Sequence, residues 1–251
     1  MQAFEPRLTA ELFARWPDRV AEVLGHDEER AWLLLADAGT PIGVFGNPPE
    51  AWLVALPLYA ELQRGEAARA HEHLTHHVPD LRIATLPARY EDLLQHDLPF
   101  ESNEMGRLRE FKARFAELCS ELTAHDVPET VQHDDLHMSN VYAQGERLRL
   151  LDWGDASISH PFHTLRTTLA IVANTLETGT DDPSLLDVRD AYLSEFGDPV
   201  ALKEPFELAQ RTAAVTNVLT WAPFVEAMLP AFRKRYGRSI AEDARMILDV
   251  I

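Results

Sequence analysis

The sequence predicts an α+β chain: a short mixed piece over 1–48, then a mainly helical body over 49–251 that encloses a small β island. Three observations predict it. Apolar residues recur at helical spacing through most of the chain after Pro49. Two β-like runs, V-Y-A and R-L-R-L-L-D, flank Gly145-Glu146, a pair that reads as a hairpin turn. A third run, A-W-L-L-L-A at 31–36, has strand length and ends in Asp37-Ala38-Gly39-Thr40-Pro41, a turn signal.

The elements follow in order. Leu8, Leu12 and Phe13 share one helical face within 6–16, and Pro17 ends that helix. Ile42 to Phe45 reads as a second short strand after the run at 31–36. Asn47-Pro48-Pro49 breaks the chain, and a helix starts at Glu50 with Pro57 as a kink inside it. Further helices are expected over 65–77, 86–95 and 104–125. From Phe162 onward the pattern is helical, with breaks at 179–183 and 197–199. The basic run Arg233-Lys234-Arg235, with Arg238, reads as the cationic end of a helix beside Gly237.

Composition narrows the function classes. A chain of 251 residues, 46% apolar, can bury a real core. No apolar run approaches the roughly 20 residues that span a bilayer, and the start M-Q-A-F-E-P-R lacks a signal-peptide pattern. Cys119 is the one cysteine, so no intrachain disulfide forms, which fits a cytoplasmic location. The net charge is 23 − 41 = −18. Such a chain repels nucleic acid and anionic membranes, so neither is expected as a partner. Acidic clefts would suit a cationic ligand.

The chemistry concentrates in T-V-Q-H-D-D-L-H-M-S-N-V-Y-A and the following L-R-L-L-D-W-G-D. His133, Asp135 and Asn140 fall at the spacing of a kinase catalytic loop, H-x-D-x-x-x-x-N, and Asp152 ends a β-like run downstream. Phosphoryl transfer needs in-line positioning and charge neutralisation more than covalent help. One carboxylate must meet the attacking hydroxyl, and Asp135 suits that task. Mg²⁺ takes hard oxygen ligands, few of them from protein, and the Asn140 amide and Asp152 carboxylate would supply them. His133 reads as a catalytic-loop residue that holds the loop by bonding backbone.

H-D-D-L-H-M-S-N followed by L-D-W resembles the aminoglycoside phosphotransferase and choline kinase-like family, whose members carry H-G-D-L-H-x-x-N and a D-W pair. Asp134 stands where the family has glycine. The resemblance implies a protein kinase-like fold, with 1–48 as a partial N-lobe and hinge and 49–251 as the helical C-lobe. It implies ATP and Mg²⁺ as cofactors and a small-molecule hydroxyl compound as acceptor, a cationic one among the options. It also implies that Leu35, Ala36 and Asp37 face adenine. The family's Gly-rich loop and strand lysine find no match: the lysines are Lys112, Lys203 and Lys234, within helical patterns. Glu5 resembles the glutamate that such a lysine pairs with. The chain is therefore expected to begin just after the lysine-bearing strand, which leaves an exposed edge and a homodimer as one outcome. The alternative function is a catalytically impaired nucleotide-binding or interaction relative.

Two further readings compete at this level. His71, His73, His76 and His77 form a cluster in which His73 and His77 lie four apart, either on one helix face for a metal or at a solvated helix end. His133-Asp134 with His137 reads as a phosphohydrolase metal motif only if it sits on a helix, and it leaves Leu151-Asp152-Trp153 unexplained.

Overall fold

The computed structural model describes residues 2–95, 101–145, 147–227 and 245–248, the side chains of 221–227 aside. The helices in chain order are α1 (Glu5–Arg15), α2 (Pro49–Glu66), α3 (Ala70–Thr75), α4 (Leu86–Leu93), α5 (Ser102–Thr123), α6 (Thr164–Thr175), α7 (Pro183–Leu193) and α8 (Lys203–Ala227). The strands are β1 (Val23–Asp27), β2 (Trp32–Leu35), β3 (Thr40–Pro41), β4 (Thr130–Gln132), β5 (Val141–Gln144), β6 (Arg147–Leu150) and β7 (Ser157–Ser159). The chain divides into two compact units, one of residues 1–80 with 128–203 and one of 81–127 with 204–251.

The first unit holds every described strand. β1 and β2 form an antiparallel pair against α1. Side chains alternate along a strand, so Trp32 and Leu34 point outward while Leu33 and Leu35 turn in. β3, β5 and β6 make a second antiparallel sheet in that order, with Val141 opposite Leu150. β4 pairs with β7. Helix α2 carries Trp52, Leu56, Tyr59 and Leu62, all fully buried, and packs against α7. Pro57 lies inside α2. The Tyr59 ring sits 6.4 Å from both Trp153 and Tyr192. Burying such rings contributes about 1.5–3 kcal/mol each.

Two buried polar hubs brace this unit. Tyr59 Oη accepts from the His133 backbone N–H at 2.9 Å and from Gln63 Nε2 at 3.0 Å, and it lies 3.0 Å from Thr164 Oγ1. The second hub is Glu66. Its carboxylate accepts two bonds from Arg15, each 2.8 Å, one from Trp16 Nε1 at 2.7 Å and one from His73 Nε2 at 2.8 Å. Trp16 reaches it only because position 65 is glycine: a Cβ there would lie 2.2 Å from the indole.

In the second unit α4 packs on α5 through Tyr90, Phe111 and Phe115, and Tyr90 Oη donates to the Leu108 carbonyl at 2.9 Å. Cys119 is buried on α5, and burial pushes its thiol up to about 12, which leaves it inert. No described helix is long and apolar enough to cross a membrane.

Some local expectations meet a different outcome. Ile42–Phe45 is a 3-10 turn, and only Thr40–Pro41 joins a sheet. Gly46, at φ +85°, closes that turn by donating to the Gly43 carbonyl at 3.2 Å, a backbone state that favours glycine. His73 and His77 do not share a helix face. His73 lies in α3, while His77 has φ +67° beyond its end. The basic run 233–238 and Glu146 of the hairpin turn lie outside the described residues.

Candidate active site

The site is assembled by two local devices. The first is the loop that leaves β4. Once Tyr59 has pinned the His133 amide, the imidazole turns inward, lies tilted against Trp153 with ring centres 4.8 Å apart and donates from Nε2 to the Leu151 carbonyl at 2.7 Å. Burial lowers the His133 pKa, so the ring is neutral with its proton on Nε2. The second device is the β5–β6 hairpin, which returns the chain so that the Leu151 N–H donates to the Asn140 carbonyl at 3.0 Å. The main chain of Leu151 is thus gripped from both sides, and Asp152 follows it directly.

Asp152 has φ +66° and ψ +64°, and Asp134 has φ +60°. Non-glycine residues take this left-handed state only where the surroundings over-determine it, commonly at functional sites. It also explains why glycine suits position 134. The Asp134 carboxyl accepts from Ser157 Oγ on β7.

Asn140 is 6% exposed. Its amide nitrogen donates to the Asp135 carbonyl at 2.9 Å and to Asp135 Oδ2 at 3.3 Å. With the nitrogen so engaged, no group among the described residues donates to the amide oxygen. His137 Nε2 also lies 3.3 Å from Asp135 Oδ2, and the Asp135 bond raises the His137 pKa.

Carboxylates crowd this region. Burial, and then Asp152, push Glu5 up to about 7. Burial, and then Asp135 and Asp152, push Asp155 up to about 6. Burial pushes Asp134 up to about 7, against the Ser157 bond. Gly154 leaves the gap in which two of them face each other: a Cβ at 154 would lie 3.2 Å from Glu5 Oε2 and 3.6 Å from Asp152 Oδ1. Among the described residues, no three His, Cys, Asp or Glu side chains form a metal cage.

Raised carboxyl pKa values have a testable consequence. Asp134 binds its proton more tightly when folded, so its contribution to stability is full below pH 3.8 and is lost as pH rises through about 7. Asp134→Asn removes that loss and keeps a residue that tolerates positive φ. In Mg²⁺-free thermal melts we expect it to match the parent near pH 4 and to be more stable at pH 8 by on the order of 1–2 kcal/mol.

Of the sequence-predicted residues, His133 and Asn140 therefore bond the Leu151 main chain beside Asp152, and Asp135 is tied to Asn140. Leu35 ends β2, the Ala36 N–H donates to the Glu22 carbonyl at 2.9 Å, and Asp37 Oδ1 accepts from the Gly39 N–H at 2.9 Å. That segment then runs into β3, beside β5. An open apolar groove of about 330 Å³ lies nearby, lined by Ile42, Phe45, Pro48, Ala51, Val54, Ala143 and Leu148.

Residues 48–204 match the sequence profile of the phosphotransferase enzyme family. The chain belongs to this family. No curated protein matches it by sequence. Among solved structures, this phosphotransferase family member resembles a choline/ethanolamine kinase family protein from Mesorhizobium loti, with a TM-score of 0.63 at 16% identity over 98% of this chain and 78% of that one. It also resembles an ethanolamine kinase from Plasmodium vivax, with a TM-score of 0.64 at 12% identity over 99% and 73% of the two chains. A third is aminoglycoside phosphotransferase APH(3'')-Id from Streptomyces rimosus in complex with ADP and streptomycin, with a TM-score of 0.52 at 16% identity over 87% and 82%. The fold of this family member is thus α+β and protein kinase-like, and the family assignment read from residues 133–153 stands.

The sequence missed Ser157, Tyr59 and Glu5's approach to Asp152. Only Glu5 left a signal, through its likeness to the family's lysine-pairing glutamate.

Proposed function

We propose that this chain transfers the γ-phosphate of ATP to a hydroxyl group of a small molecule. One observation carries the reading: Asn140 bonds both Asp135 and the Leu151 main chain that leads into Asp152, and among the described residues nothing donates to its amide oxygen. Asp135 takes the hydroxyl proton as the acceptor oxygen bonds to the γ-phosphorus, while the bond from that phosphorus to the β–γ bridging oxygen breaks and its electrons leave on ADP. His133 and Tyr59 hold the loop that carries Asp135, and the left-handed turn at 152 aims the second carboxylate.

The residues present suit Mg²⁺. It takes one or two protein oxygens beside substrate phosphates rather than a full protein cage, and Asn140 and Asp152 offer two hard oxygens. When bound, it neutralises phosphate charge. Leu35, Ala36 and Asp37 would meet the adenine. Support for a nucleotide comes from the Streptomyces rimosus relative, which holds ADP.

A cationic acceptor fits the chain's net charge of −18. A cytoplasmic location fits the single buried thiol. Self-association through the outward Trp32 and Leu34, 66% and 61% exposed, belongs to the same reading. A second reading, a relative that binds nucleotide without transferring phosphate, draws on Glu5. Its carboxyl is buried, and among the described residues no lysine or arginine pairs with it.

Titration calorimetry tests the nucleotide half. We expect ATP binding that requires Mg²⁺ and weakens about tenfold or more in Asp152→Asn. Heat-silent titration at millimolar Mg·ATP would reject a nucleotide site altogether.

A further inference from the structure

We propose that His137 is a positioning residue for phosphoryl transfer: its Nε2–H fixes Oδ2 of Asp135, so that Oδ1 alone is presented to the acceptor hydroxyl. The inference rests on the reading above, in which Asp135 meets that hydroxyl.

The tautomer follows from the bonding. The Ser139 backbone N–H donates to His137 Nδ1 at 3.1 Å, so Nδ1 carries a lone pair and no hydrogen. The single ring proton of neutral imidazole is then on Nε2. That nitrogen lies 3.3 Å from Asp135 Oδ2. The same oxygen accepts from Asn140 Nδ2 at 3.3 Å. Two nitrogen groups, from positions 137 and 140, thus lie 3.3 Å from the same carboxylate oxygen. Among the described residues no group donates to Oδ1.

Exposure separates this histidine from its neighbour in the motif. His133 is fully buried and serves a backbone carbonyl. The side chains of His137 and Asp135 are 26% and 23% exposed, so the contact lies where an acceptor arrives. A histidine that merely shaped the loop would need only its Nδ1 bond to Ser139.

Two substitutions divide those roles. Asparagine places an acceptor where Nδ1 was and can keep the Ser139 bond, but is too short to reach Asp135. Glutamine places an N–H near the Nε2 position and gives up the short-range bond. Positioning predicts that His137→Asn lowers kcat about 10–100-fold with KM for Mg·ATP little changed, and that His137→Gln stays within about threefold of the parent. The reverse order would make His137 a loop-shaping residue and overturn the inference.

A spectroscopic arm needs no turnover. In long-range ¹H–¹⁵N correlation spectra of the full chain at alkaline pH, where the imidazole is neutral, His137 should show a protonated Nε2 and a bare Nδ1, and Nε2 should shift in Asp135→Asn. A proton found on Nδ1, or an Nε2 signal indifferent to Asp135→Asn, overturns the inference while leaving the kinase reading in place. The expected spectrum from a chain that binds no Mg·ATP would instead remove the kinase reading, and with it the catalytic meaning of the contact.

Discussion

Asp135→Asn is expected to lower kcat for phosphoryl transfer by about 10²–10⁴-fold, the usual worth of a positioned general base. ADP release with a panel of hydroxyl-bearing amines and sugars is the measurement. The substitution keeps the size and an acceptor oxygen for Asn140 Nδ2, so the loop is retained. What is lost is the ability to take a proton. Mg·ATP affinity should stay within about threefold, because the loss falls on the transition state and not on ground-state binding. A variant that turns over at the parent's rate would show that another group receives the proton.

Glu66→Ala should cost about 3–5 kcal/mol of unfolding free energy, readable in urea melts. The size follows from what is left behind. Glu66 is fully buried and gathers Arg15, Trp16 and His73, so truncation strands a buried imidazole N–H and leaves a half-buried guanidinium and indole N–H without their acceptor. Burial alone would raise its pKa, but the bonds from His73, Arg15 and Trp16 outweigh burial and hold it at about 2. Its stabilisation is therefore full above pH 4.5 and fades as pH falls toward 2. The parent should lose stability over that interval through this group, and Glu66→Ala should lack that component. Loss below 1 kcal/mol would mean that Arg15 and His73 find water instead.

Much of the candidate site was legible because it is local. Asp135 and Asn140 sit on one loop, and a short hairpin returns Asp152 to them, so spacing in sequence carries the arrangement in space. Gly145, at φ +64°, is the kind of residue that such a turn demands. Elements made by distant partners were harder to read. β7 is three residues long and exists because β4 pairs with it. β1 contains Gly25, His26 and Asp27, which hide its alternation. The Ile42–Phe45 run looked like a strand since four apolar residues do not distinguish a strand from a tight turn. Glu66 gave no sign at all. A glutamate near a helix end is normally solvated, and nothing local announces that Arg15, Trp16 and His73 converge on it.

Helix α1 joins the two features whose charges matter most. Its first residue, Glu5, faces Asp152 across the gap at Gly154, and its last, Arg15, is clamped to Glu66. Eleven residues make a rod of about 16 Å. A stiff rod held at one end transmits tilt to the other. Loosening the clamp would thus swing the Glu5 carboxyl relative to Asp152, a mechanical linkage between the interior of the larger, sheet-bearing unit and the candidate site.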